Sequence, residues 1–91
     1  MFDYNAAENL VLELLARTEQ AMSERKIRFA ITEVIEQDFG WVFLYEADNQ
    51  SSADCTPLIV DKSEGVVYIA DKASTLDGSL ENFRRGNKSR A

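Results

Sequence analysis

PLIVDKSEGVVYIA, residues 57–70, reads as a strand, a tight turn and a second strand. Val, Ile and Tyr dominate both arms and suit a pleated, half-buried surface. Asp61-Lys62-Ser63-Glu64-Gly65 supplies turn chemistry that ends in a residue free to take positive φ. A three-residue loop of Ser63, Glu64 and Gly65, closed by a bulge at Gly65, would pair Lys62 with Val66, Asp61 with Val67, Val60 with Tyr68 and Ile59 with Ile69. One face would then carry Leu58, Val60, Tyr68 and Ala70, and the other Ile59, Val67 and Ile69. Neither side of such a hairpin is polar, so the sheet needs cover on both faces.

Working outward, Pro57 suits the start of a strand and marks the end of the polar loop 48–56, DNQSSADCT. Before that loop, Trp41-Val42-Phe43-Leu44-Tyr45-Glu46-Ala47 predicts a strand with Trp41, Phe43 and Tyr45 on one face and Val42, Leu44 and Glu46 on the other. Ile27 to Glu36 alternates as well, placing Ile27, Phe29, Ile31, Glu33 and Ile35 on one side, with Gln37 to Gly40 as the turn into the next strand. Upstream, from Tyr4 to about Ser23, Ala7, Leu10, Val11, Leu14, Leu15, Thr18, Ala21 and Met22 recur three and four apart. That spacing is an amphipathic helix with one buried stripe, capped by Asp3 or by Asn5, whose partner Glu8 has capping-box spacing. Downstream, Leu76, Leu80 and Phe83 predict a short helix capped by Ser74 or Thr75, weakened by Gly78 and stopped at Gly86.

The expected architecture is therefore α+β: an N-terminal amphipathic helix packed on a four-stranded antiparallel sheet, followed by a short C-terminal helix. A single domain spans 1–86, and 87–91 is expected as a disordered basic tail. One long helix covers one sheet face. The second face must be covered by the short helix, by a second copy of the chain in a homodimer, or by another protein.

The net charge of −6 hides a division. Residues 1–83 hold all sixteen acidic side chains against six basic ones, while Arg84, Arg85, Lys88 and Arg90 make the end of the chain basic. From Phe29 to Asp61 there is no Lys or Arg, but Glu33, Glu36, Asp38, Glu46, Asp48, Asp54 and Asp61 all occur. Such a field repels nucleic-acid phosphates and anionic lipid and attracts a basic partner. The bland alternative is a solvated surface kept soluble by charge. Glu33, Glu36, Asp38, Trp41, Glu46, Asp48 and Asp54 are the candidate partner-binding residues. Trp41 has the bulk to anchor an interface, and equally to form the core under the helix.

Catalytic chemistry is thinly represented. The absence of histidine removes the commonest general base, the usual triads and most zinc sites. Cys55 is the lone cysteine, beside Asp54, where a carboxylate discourages the thiolate. It excludes an internal disulfide framework and fits a reducing compartment. Asp48, Asn49, Gln50 and Asp54 offer oxygen ligands but not the spacing of an EF-hand loop, and the four glycines build no phosphate cradle. No catalytic residue, metal or cofactor is implied. The apolar runs are too short to span a bilayer and the N-terminus is acidic, so a cytoplasmic protein without membrane or nucleic-acid partners is the expectation.

The string GWVFLYEA, the polar loop and then PLIVDKSEGVVYIA resembles the YrhB-like family, also called the immunity protein 35 family. The resemblance rests on Gly40-Trp41 with Phe43 and Tyr45, on Pro57 through Lys62, on Gly65 with Val67-Tyr68, and on the closing Leu80–Phe83 segment. It implies a cytoplasmic, non-catalytic bacterial protein that protects the cell by binding a cognate polymorphic toxin. The acidic stretch adds, on physical grounds, that a basic toxin such as a nuclease would suit it. The alternative is a small chaperone-like or ligand-binding module that uses an apolar sheet face.

Overall fold

The computed structural model describes residues 3–21, 28–48, 56–70, 73 and 75–90. In chain order these form α1 (Tyr4–Ala21), β1 (Phe29–Gln37), β2 (Gly40–Ala47), β3 (Leu58–Asp61), β4 (Val67–Ala70), α2 (Leu76–Arg84) and β5 (Lys88–Arg90). The strands make one antiparallel sheet in the order β1-β2-β3-β4-β5. α1 lies on one face and α2 on the other.

Asp3, not Asn5, caps α1, because its carboxylate accepts from the Ala6 N–H at 2.9 Å. At the helix start the Tyr4 phenol donates to Glu8 at 2.9 Å, and this bond is the main reason its pKa lies above the ordinary value. The 3.6-residue period then buries Ala7, Val11 and Leu15 against Trp41, Phe43, Leu58 and Val60, with Leu10 and Leu14 flanking. Burying each branched side chain contributes about 2 kcal/mol, which offsets the weak intrinsic preference of a helix this polar. The final helical residues expected, Met22 and Ser23, lie outside the described residues.

β1 departs from the alternation read in its sequence. The register shifts between Ile31 and Glu33, so Thr32 is an extra residue in the strand. Beyond that bulge the faces exchange. Val34 joins Phe29 and Ile31 under α1, whereas Ile35 packs on the α2 side with Val42. Without the bulge Glu33 would point into the apolar layer beneath α1.

The hairpin at 57–70 keeps its strands but not its expected register. Val60 pairs with Val67, Ile59 with Tyr68 and Leu58 with Ile69. The loop is one residue longer, closed by the Asp61 N–H on the Val66 carbonyl at 3.1 Å and the Gly65 N–H on the Asp61 carbonyl at 3.0 Å. Asp61 Oδ1 decides this, accepting from the Ser63 N–H at 2.6 Å, the Ser63 hydroxyl at 2.6 Å and the Glu64 N–H at 2.9 Å. Gly65, at φ 67°, then takes the left-handed conformation that returns the chain. A slip of one residue turns the β4 side chains over relative to β3, so Val67 joins Leu58 and Val60 under α1 and Tyr68 joins Ile59 on the α2 side, the exchange of the two groupings read from the sequence.

The Asp61 carboxyl sits below the ordinary carboxylate range, chiefly because of the Ser63 hydroxyl, with burial opposing and the Glu64 and Ser63 amides and the Lys88 charge assisting. A depressed folded pKa stabilises the fold above the unfolded value of 3.8, and that contribution is lost as pH falls through the lower folded value. We expect Asp61→Ala to cost about 1 kcal/mol at neutral pH. The gap between the urea midpoints of variant and parent should narrow as pH falls below the ordinary carboxylate range; a constant gap would show that the charge plays no part.

Thr75 caps α2, accepting from the Gly78 N–H at 3.1 Å. Gly78 costs the helix some propensity, but a Cβ there would stand 2.8 Å from the Ala73 Cβ, so the missing side chain admits the incoming segment. Phe83 is the anchor of this layer. Its ring lies 4.8 Å from Phe39 and 5.8 Å from Tyr68, over a floor of fully buried Val42 and Ile59. Around Val42 and Ile59 the second sheet face therefore has cover from its own chain, and neither a homodimer nor a foreign partner is needed to bury that part of it.

Lys88–Arg90, read as part of a disordered tail, instead forms β5 on the outer side of β4, pairing Ala70 with Lys88 and Ile69 with Ser89. After α2 the chain turns at Gly86 and is held by the Asn87 N–H on the Asn82 carbonyl at 2.8 Å. Lys88 then lays its ammonium 4.4 Å from the Tyr68 ring and 4.2 Å from Phe83. The unpaired backbone of β4 and these two rings order the segment, which its polar sequence did not announce.

Candidate functional site

The two longest strands, β1 and β2, have nine and eight residues, while β3 and β4 have four each. β3 pairs only with Gly40–Phe43 of β2. Among the described residues, Leu44–Ala47 is thus joined to β1 alone, and the far end of the hairpin projects past the rest of the sheet. Beneath α1 this end is filled by Phe29, Ile31 and Tyr45, with the Phe29 and Tyr45 rings 5.9 Å apart and edge to face. Its other face, beyond Ile35 and Leu44, is not reached by α2.

Two carboxylates stand there. Glu33 is opposite Leu44, and Glu46, two residues along β2, is opposite Ala30, so Glu33 and Glu46 are diagonal neighbours on one face. Both are exposed, and neither has a hydrogen bond or ion pair among the described residues. Like charges so placed repel each other, which a folded monomer has no reason to favour. Asp48 follows at the strand end, where its N–H donates to the Arg28 carbonyl at 3.1 Å.

The other predicted residues are elsewhere and engaged. Glu36 Oε2 is 3.0 Å from Lys62 Nζ, which also stands 5.3 Å over the Trp41 ring. Asp38 Oδ1 is 3.4 Å from a nitrogen of Arg84, whose guanidinium lies 5.1 Å over Phe39. Both pairs are solvated and contribute at most about 1 kcal/mol, but they cancel charge that the sequence left unopposed. Lys62 and Arg84 lie outside the base-free stretch and return to it only through the fold. Trp41 is 6% exposed and belongs to the core under α1, so it presents nothing to a partner. Asp54 and Cys55 lie outside the described residues.

Comparison with protein-family models, with curated proteins and with solved structures finds no match for this chain.

Elsewhere, an open cleft of about 320 Å³ runs between α1 and the β3–β4 turn, with Leu10, Leu14, Val66 and Val67 as its apolar lining and Arg17 and Arg90 at its rim. Arg17 is already paired with Glu13 one helical turn away. No group of three His, Cys, Asp or Glu among the described residues has the proximity to hold a metal ion. No described helix is long and apolar enough to cross a membrane. The grouping of Glu33 with Glu46 was within reach of the sequence through β-strand alternation, had the bulge at Thr32 been visible.

Proposed function

We propose that this protein is a non-catalytic immunity protein, which works in the cytoplasm by binding and neutralising a cognate protein toxin. The projecting face of the β1–β2 hairpin is its contact surface. The observation that carries this reading is the pair Glu33 and Glu46, unopposed among the described residues and held on a two-stranded support whose other side packs on α1. The resemblance to the immunity protein 35 family supplies the biological class. The charge supplies the preference for a basic partner such as a nuclease, because complementary fields speed encounter and suppress acidic competitors.

Glu33→Lys with Glu46→Lys is the direct test. We expect it to slow association with the toxin encoded by the adjacent gene by roughly tenfold or more at low salt and to abolish rescue of growth on co-expression. The thermal midpoint should change little, since both positions are exposed and one like-charged pair replaces another. Absence of a complex with the adjacent gene product and absence of rescue by the parent chain would overturn the immunity reading; full rescue by the charge-reversed chain would move the contact surface elsewhere.

A further inference from the structure

The two edges of the sheet differ in how they meet water. β5 is three residues long and carries Lys88 and Arg90, which is how proteins ordinarily close an edge to other strands. β1 is three times as long, contains no Lys, Arg or Pro, and has no strand on its outer side among the described residues. Its backbone direction follows from the pairing. The two-residue turn makes Gln37 and Gly40 a hydrogen-bonded pair, so by alternation Ile35 and Glu33 also point their backbone groups at β2. Those of Val34 and Glu36 point outward. Farther up the strand the outward N–H of Phe29 is already taken by Glu19 Oε1 at 3.2 Å, and the bulge at Thr32 interrupts the ladder. Among the described residues, an open run therefore remains at Glu33–Gln37.

The side chains beside that run are acidic on both faces of the sheet. Glu33 lies on the α2 side, next to Ile35, and Glu36 on the α1 side, next to Val34. A guard of carboxylates does not close an edge to everything; it closes it to acidic strands and leaves it attractive to basic ones. Two copies of this chain meeting at β1 would gather Glu33 and Glu36 from each along one seam, on a molecule that already carries −6. That arrangement is repulsive, so a second copy is a poor occupant.

We propose that the outer edge of β1, over Glu33–Gln37, accepts an extended basic segment of the partner protein as an added strand of the sheet. Main-chain hydrogen bonds to Val34 and Glu36 give the attachment, and Lys or Arg side chains reaching Glu33 on one face, and on the other Glu36 in exchange for its solvated pair with Lys62, give the choice of partner. This rests on the hairpin being the partner-binding surface and specifies how the partner is held.

The test uses the full chain labelled with ¹⁵N and three acetylated six-residue probes: a peptide of Lys and Val in the repeating order Lys-Lys-Val, which puts Lys on both faces of a strand, the same peptide N-methylated on alternate backbone nitrogens, and the corresponding peptide of Glu and Val. The Lys–Val peptide is expected to shift the amides of Val34 and Glu36 and slow their hydrogen exchange by about tenfold, with the N-methylated and Glu–Val peptides binding at least tenfold more weakly. Equal binding of the two Lys peptides, with Val34 and Glu36 still exchanging freely, would overturn strand addition and leave a purely electrostatic contact at the hairpin. Failure of the Lys–Val peptide to bind, or equal binding of the Glu–Val peptide, would overturn the proposal itself, and rescue of growth by co-expression would then decide separately whether the immunity reading survives.

Discussion

Gly40→Ala is expected to leave little folded protein. A Cβ at this position would lie 1.9 Å from the Val60 carbonyl oxygen and 2.9 Å from its carbon, both backbone atoms of the neighbouring strand. The chain at Gly40 also holds φ 158°, where a side chain is strained. No flexible group exists to move aside, so β2 and β3 would have to separate at the pair Gly40–Asp61. That pair begins the ladder that buries Val42, Phe43, Ile59 and Val60. A loss of roughly 4 kcal/mol or more is the expected size, against a total stability of about 5–15 kcal/mol for a small domain. Urea titration followed by Trp41 fluorescence would read it. A midpoint matching that of the parent would show that β2 and β3 are not spaced as described.

Phe83→Ala should act differently, by loosening one layer instead of the whole molecule. The ring is 5% exposed and holds α2 to the sheet through Phe39 and Tyr68, while Lys88 of β5 rests on it. Removing a buried Phe typically costs about 3–5 kcal/mol, through lost burial and the cavity that remains. α2 and β5 share this anchor, so their amides should lose hydrogen-exchange protection together, while those of α1 and β2 keep most of theirs. The detached layer would uncover Val42 and Ile59 and produce binding of a hydrophobic dye. Loss of protection confined to α2, with β5 unchanged, would show that β5 is held by β4 alone.

Gly40 and Phe83 also mark what could be read from the chain beforehand. Gly40 was legible only as turn punctuation, since nothing local tells that a carbonyl of a strand some twenty residues away will press against its Cα. Phe83 was legible as one point of a helical stripe with Leu76 and Leu80, and that stripe is where α2 meets the sheet. The Thr75 cap and the stripe of Ala7, Val11 and Leu15 were legible for the same reason: they depend on neighbours within one or two turns. The hairpin register was misread because a loop of either length satisfies the same turn residues, and the Asp61 carboxylate settles the matter by collecting the Ser63 and Glu64 amides.

The candidate site divides along the same line. Exposed carboxylates between Phe29 and Asp61 could be counted in the sequence, but not which of them would remain unopposed. Arg84 and Lys62 reach Asp38 and Glu36 across gaps of 46 and 26 residues. Trp41, chosen for its bulk, had an equal claim to the core, and α1 took it.

Residue pattern alone settled the kind of each main element and the α+β class, because helical and strand periods are properties of a few consecutive residues. It also settled that both faces of the sheet needed cover, since β2, β3 and β4 are apolar on either side. Packing in three dimensions decided the rest: the bulge that turns Val34 and Ile35 over, the register that sends Tyr68 to α2, the fifth strand, and the pairing that sets Glu33 and Glu46 side by side on one face. Period-two alternation carries no mark of a single inserted residue, and charge acts through space without regard to distance along the chain.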